Sequence, residues 1–145
     1  MLFSKASTYG IRAVLYLTLN SNKSYISIRE ISEALGISYH FLGKIFQELT
    51  RWGVVESYKG PNGGIRLTRE PKDLTVLDVY RVLDGLDLFK NCVFGLDKCS
   101  DANPCPLHNQ WLPVREQIYA ILSQTNFEEL AKDTKTFNFR LKSKI

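Results

Sequence analysis

The sequence predicts a mainly α fold of the α+β kind, with one small β-hairpin set among helices and a long helix near the C-terminus. Three observations lead to it. Apolar residues recur at helical spacing in several stretches, most of them opened by Ser, Thr or Asn. Two short strand-like runs, residues 54–58 and 65–68, flank Gly60-Pro61-Asn62-Gly63-Gly64, which can only turn. At 44% hydrophobic and 12% aromatic, the 145 residues carry enough apolar side chain for a real core, so global disorder is excluded.

The first helix places Ile11, Val14, Leu15, Thr18 and Leu19 on one buried stripe and should end at residues 20–22. Ser27-Ile28-Arg29-Glu30 reads as a capping box, the Ser27 hydroxyl accepting from the amide three residues on while Glu30 reaches back. The short helix behind it runs to Leu35 with Ile28, Ile31 and Leu35 inward. Gly36 stops it, because glycine takes a positive φ without strain. Ser38 caps the next helix, whose buried stripe is Leu42, Ile45, Phe46 and Leu49. Tyr39, His40, Gly43, Lys44, Gln47 and Arg51 are left outside. Helix, Gly-Ile-Ser turn and helix make the helix-turn-helix plan, and the hairpin adds a wing.

Pro71 ends the returning strand, and Thr75 with Asp78 opens a helix that is amphipathic through Val76, Val79, Val82 and Leu83. Residues 90–108 are irregular, with Gly95, Asn103, Pro104 and Pro106, and an irregular stretch of that length in a compact domain is usually functional. From residue 107 or 111 a helix runs to Gln124 with Trp111, Val114, Ile118, Ile121 and Leu122 on one face. That face exceeds what a winged helix can cover, so it is read as the seam of a homodimer. Asn126-Phe127-Glu128-Glu129 caps a last short helix through Lys132. The organisation expected is a winged helix-turn-helix domain over residues 1–74, a unit of linker helix, cysteine loop (90–108) and dimerisation helix over 75–133, and a loosely held basic tail over 134–145.

The net charge of +4 is unevenly spread. Residues 1–72 hold ten Lys/Arg against five Glu, residues 73–124 four basic against seven acidic, and residues 125–145 five basic against three acidic. A basic N-terminal half suits a phosphate-binding surface. On the second of the two helices that surface would be Ser38, Tyr39, His40 and Lys44, at the end that enters a major groove. On the wing it would be Lys59, the Gly60-Pro61-Asn62-Gly63-Gly64 turn and Arg66, with Arg69 behind, thin enough to approach a minor groove. The partner expected is double-stranded DNA.

Other classes drop away. No apolar run approaches ~20 residues, so no membrane span is expected. The apolar residues 13–19 follow polar ones and precede no small-residue cleavage site, so they read as a helix of the fold and not a signal peptide. An odd cysteine count without an export signal points to the reducing cytoplasm. Nothing in the chain looks like a Ser/His/Asp set, a nucleotide loop or a pair of catalytic carboxylates, so it is not read as an enzyme.

All three cysteines fall in one stretch, as Cys92-x6-Cys99-x5-Cys105-x2-His108. Three thiolates and an imidazole form a ligand set, and Lys90 and Lys98 nearby ease deprotonation. Zinc accepts such a set but usually pairs its ligands at shorter spacing, whereas wide gaps let a loop wrap a larger inorganic core such as an iron–sulfur cluster. Zinc, a reversible thiol switch and plain buried cysteines stay open at this point, as does an iron–sulfur electron carrier.

Ser4-Lys5 leading to Tyr9-Gly10-Ile11-Arg12-Ala13, residues 31–36, Phe41-Leu42 with Ile45-Phe46-Gln47-Glu48-Leu49, and above all Lys59-Gly60-Pro61-Asn62-Gly63-Gly64 resemble the IscR/NsrR/CymR family of bacterial winged-helix repressors. The resemblance covers the chain to about residue 133. The cysteine stretch, with Cys105-Pro106-Leu107-His108, Trp111 and Arg115, is similar to the family's iron–sulfur branch. The resemblance implies a homodimer on palindromic operators, and a [2Fe-2S] or [4Fe-4S] cluster on Cys92, Cys99 and Cys105, completed by His108, controlling DNA affinity. A metal-free thiol switch is the alternative within the family. Two features depart from it. The first cysteine gap is six residues where better-known members have five, and Thr8 stands where some members place an acidic ligand. At Gly43 the family uses a side chain to help read bases, so no operator sequence carries over.

Overall fold

The computed structural model describes residues 2–136 and 140–141. Helices α1 (Lys5–Leu19), α2 (Ile28–Leu35) and α3 (Tyr39–Arg51) are followed by strands β1 (Val55–Tyr58) and β2 (Gly64–Leu67). Helix α4 (Val76–Asp84) leads into the cysteine stretch, and α5 (His108–Gln124) and α6 (Phe127–Thr136) close the described fold. The mainly α reading with a small β wing holds.

The predicted caps are largely in place. Ser4, Ser27 and Ser38 each accept from an amide three residues on, and Gly36 sits at φ 66° where α2 stops. Thr75 and Asp78 form a complete reciprocal box. At Ser27 only half of the expected box forms. The Glu30 carboxylate instead takes Lys23 Nζ at 2.6 Å and the Tyr16 hydroxyl at 3.1 Å, because a phenolic donor on α1 and a charged donor in the turn after it outcompete a single exposed amide. Lys23 in turn holds the Glu30 carboxyl below its ordinary pKa.

Helix α1 is buried more broadly than one stripe, since Ser7, Gly10, Ala13 and Leu17 join Val14, Leu15 and Thr18, while Ile11 and Leu19 are half-buried. It is the central helix, packed on α3, α4 and α6 at once. Leu42, Ile45, Phe46 and Leu49 of α3 are at most 2% exposed, each contributing about 1.5–3 kcal/mol of transfer free energy. Phe127 and Ala131 of α6 and Leu122 of α5 enter the same core. Backbone bonds reinforce the join, as Phe127 N donates to Leu74 O at 3.0 Å and Val76 N to Thr125 O at 3.0 Å.

The wing pairs Val55 with Leu67 through Tyr58 with Gly64, antiparallel. A third line of pairing was not foreseen. Ile26, just before α2, exchanges bonds of 3.0 and 2.8 Å with Ile65 and pins the hairpin to the helical body. Gly64 makes this contact feasible, because a Cβ there would lie 2.3 Å from the Ile26 carbonyl oxygen.

Helix α5 starts at His108 and runs through Pro113, which withholds an amide in the second turn without ending the helix. Helix α6 outruns its expected end at Lys132 and reaches Thr136, with Thr134 Oγ1 donating to Leu130 O at 2.7 Å. The 134–145 tail was read as one loose segment, but its first residues complete α6. Residues 137–139 and 142–145 lie outside those described. Among the described residues, no helix is long and apolar enough to cross a membrane.

Candidate metal centre and nucleic-acid interface

Tight turns place the cysteines. Gly95 N donates to Cys92 O at 2.9 Å, Cys99 N to Leu96 O at 3.3 Å, and His108 N to Cys105 O at 3.1 Å, so each cysteine opens or closes one turn. Between residues 90 and 107 the three cysteines are half-buried and every other residue is exposed. The stretch is thus folded around its sulfur atoms and not around an apolar centre. The three Sγ atoms lie within 4.8 Å of one another, Cys92 and Cys105 at 3.5 Å.

The backbone favours charge on one of them. The Leu96 amide above all, and then the Phe94 amide and the two neighbouring thiols, bring the Cys92 thiol down to about 7 against partial desolvation. At Cys99 the Cys105 amide, 3.4 Å from Sγ, pulls downward, but desolvation and the adjacent thiols outweigh it and the net shift is upward. His108 joins from the first turn of α5, with Nδ1 3.3 Å from Cys99 Sγ and Nε2 2.8 Å from Asp101 Oδ1. The three thiols face one point, and the imidazole reaches that group at Cys99; thiols and an imidazole are donors that fit iron–sulfur or zinc chemistry. The sequence reading missed Asp101, since nothing in an irregular loop signals which acid faces a histidine seven residues on.

The start of the loop is tied to the rest of the fold. Arg115 of α5 donates to Asn91 O at 3.2 Å. Ahead of the loop, Phe89 packs edge-on to Tyr119 of α5 and to Tyr80 of α4, at centroid distances of 5.2 and 5.7 Å. Tyr80 meets Phe3 at 5.0 Å, and Asp84 at the end of α4 accepts from Ser4 N at 3.0 Å.

On the helix-turn-helix, Ser38, Tyr39, His40 and Lys44 are all exposed at the α3 N-terminus. Arg29 of α2 was not among the predicted contacts, yet its guanidinium lies 5.6 Å from the Tyr39 ring centroid and adds charge to that surface. On the wing, Lys59, Gly60, Pro61 and Asn62 are exposed, while Gly63 and Gly64 are half-buried at its root. Arg66 is paired with Glu56 and lies over the Tyr25 ring at 4.8 Å, and Arg69 is 3.7 Å from Asp78. Lys44 and Lys59 are in no ion pair among the described residues, so their charges are the more available. Of the α5 stripe, Val114 and Ile121 are 43% and 64% exposed and Trp111 and Ile118 half-buried, whereas Leu122 is buried in the chain's own core.

A family model for Rrf2, an iron-dependent transcriptional regulator, matches residues 3–133. The chain belongs to the Rrf2 family. It is a DNA-binding transcriptional regulator, as the members named beside it are. This Rrf2 protein is 32% identical over 133 residues to the HTH-type transcriptional regulator IscR of Vibrio atlanticus, covering 92% of this chain and 76% of that one. It superposes on CymR, the global cysteine regulator of B. subtilis, with a TM-score of 0.79 at 27% identity, over 91% of this chain and 97% of that one. With IscR of T. potens the TM-score is 0.76 at 26% identity, over 94% and 90% of the two chains.

Proposed function

We propose that this Rrf2 regulator is a cytoplasmic homodimeric repressor that grips a palindromic operator, with an affinity set by an iron–sulfur cluster on Cys92, Cys99, Cys105 and His108. The observation that carries the reading is the convergence of three half-buried sulfurs within 4.8 Å in a stretch where nothing else is covered. When bound, such a group supplies a link between distant parts of the loop that redox change, nitric oxide or cluster supply can alter. The exposed Val114 and Ile121 of α5 support a second copy as partner.

The chain's own residues would carry the signal. Ordering residues 92–105 fixes Asn91 against Arg115 and Phe89 between Tyr80 and Tyr119. The Ser4–Asp84 clamp passes that position to α1, which packs directly on α3. The loop thereby biases how the two recognition helices and wings are set, a shift between populations of relative orientation. Half-sites one helical turn apart are expected for such a dimer.

The test is anaerobic purification with iron and sulfide assay, absorbance and Mössbauer spectra, followed by binding to the protein's own promoter before and after nitric oxide. Equal operator affinity with and without iron and sulfide would refute control by a cluster. A second reading has its own observation, the 3.5 Å approach of Cys92 to Cys105. In that case peroxide oxidises the two thiols to a disulfide and is itself reduced to water, and no metal is needed. A colourless protein, free of iron and sulfide, whose DNA binding answers to peroxide would select this reading.

A further inference from the structure

We infer that Asp101 is a positioning residue for His108, holding its imidazole as the Nε2–H tautomer and so leaving Nδ1 bare toward the cysteine sulfurs. What Nδ1 then binds rests on the metal-centre reading above, but the tautomer does not. A neutral imidazole carries one N–H, and an ionised carboxylate only accepts. The 2.8 Å contact between His108 Nε2 and Asp101 Oδ1 therefore puts the proton on Nε2. Nδ1 presents its lone pair, and it is this nitrogen that stands 3.3 Å from Cys99 Sγ.

Both partners are held in place. Asp101 sits on the turn closed by Ser100 N to Asn103 O at 3.2 Å and Asn103 N to Ser100 O at 3.0 Å. Asn103 also donates from its backbone to Ser100 Oγ at 3.2 Å and from Nδ2 to Lys98 O at 3.3 Å. His108 is anchored by its amide on Cys105 O, and its side chain is only 12% exposed, so the ring has little room to turn over. A carboxylate on the far nitrogen of a ligand histidine fixes which nitrogen faces the metal, and its loss commonly weakens metal retention 10–100-fold.

The chain has two histidines, His40 and His108, so long-range proton–nitrogen correlation on histidine-labelled apo protein resolves each ring. The spectra are taken above the ordinary imidazole titration range. The wild type should show His108 as Nε2–H. Asp101→Ala should move it toward Nδ1–H, and Asp101→Asn should restore the wild-type pattern, because the amide oxygen still accepts. Asp101 is 90% exposed, so neither change threatens the core. In protein reconstituted anaerobically with iron and sulfide, Asp101→Ala should lose its absorbance to a chelator ~10–100-fold faster than Asp97→Ala. An unchanged His108 tautomer in Asp101→Ala, or chelator loss no faster than in Asp97→Ala, overturns the inference. If the tautomer responds as expected but the wild type assembles no cluster, Asp101 keeps its role and the cluster reading alone fails.

Discussion

The helix-turn-helix and the cysteine loop are held by opposite means. Helix α3 alone buries four apolar side chains to 2% exposure or less. Residues 90–107 cover nothing but three half-exposed cysteines, and around them stand Val93, Phe94 and Leu96 at 42–57% exposure. The first region has its conformation fixed by apolar burial, whatever is bound. The second has only turn hydrogen bonds and sulfur contacts, and segments of that kind lie at the low end of local stability. In the regulator proposed above, this division would keep the helix-turn-helix constant and leave the adjustable energy in the loop.

The largest effect should come from breaking the rigid side. Phe127 is fully buried against the same core as α1 and α3, although it lies far from them in sequence. Phe127→Ala should cost about 3–5 kcal/mol, read by urea unfolding. Because the core is continuous from α1 to α6, a single transition shifted as a whole is expected. Two transitions, with the winged part unmoved, would mean that residues 1–74 are stable alone and that the contrast lies between two domains instead.

A smaller loss tests how the wing joins the rigid side. Gly64→Ala would drive a Cβ to 2.3 Å from the Ile26 carbonyl oxygen, so the hairpin must move off the helical body. About 1–3 kcal/mol of stability should go, together with most of the operator affinity. Unaltered DNA binding in a folded Gly64→Ala protein would show that the wing does not need its pin.

How much of this could be read from the chain follows the same division. Periodic burial and local caps are sequence-local, so α2, the start of α3, the hairpin and the start of α4 were legible to within a residue or so, down to Gly36 and Thr75, whereas α4, expected to reach Leu86, stops at Asp84 with Gly85 at φ 76°. The Ile26–Ile65 pairing, the Glu30 partners Tyr16 and Lys23 and the breadth of α1 burial depend on contacts between separate segments, which no local pattern carries. The α5 stripe shows the limit most plainly. Its helical spacing grouped Leu122 with Ile121, but Leu122 is buried in the chain's own core and Ile121 is left outside. In the loop, cysteine clustering pointed to a shared site, and the residue types limited the chemistry. Asp101 was invisible, since its meeting with His108 depends on an irregular turn.

On the DNA-reading surface the effect should be modest and diagnostic in form. Lys59 is exposed at the base of the wing and unpaired among the described residues, whereas Arg66 already answers to Glu56. Lys59→Ala should weaken operator and non-operator DNA alike and make the salt dependence shallower by about one counterion. Arg66→Ala should change the slope less, since a paired guanidinium releases less on binding. Equal slopes for Lys59→Ala and the wild type would take the wing off the phosphates.

The smallest expected effect sharpens the comparison most. If the loop is held only by turns and sulfurs, Cys99→Ala in the metal-free protein removes a half-exposed side chain from a segment that the core does not use. Its melting midpoint and far-ultraviolet circular dichroism should then match the wild type. Under anaerobic reconstitution the two should part. The wild type gains colour, a higher midpoint and resistance of the loop to proteolysis, because a ligand that binds only the folded form stabilises it by mass action. Cys99→Ala should gain none of these. Retained absorbance would remove Cys99 from the ligand set, and a large loss of midpoint in the metal-free variant would show that the loop belongs to the rigid side after all. The flat response before loading and the divergence after it together locate the adjustable energy in the sulfur contacts.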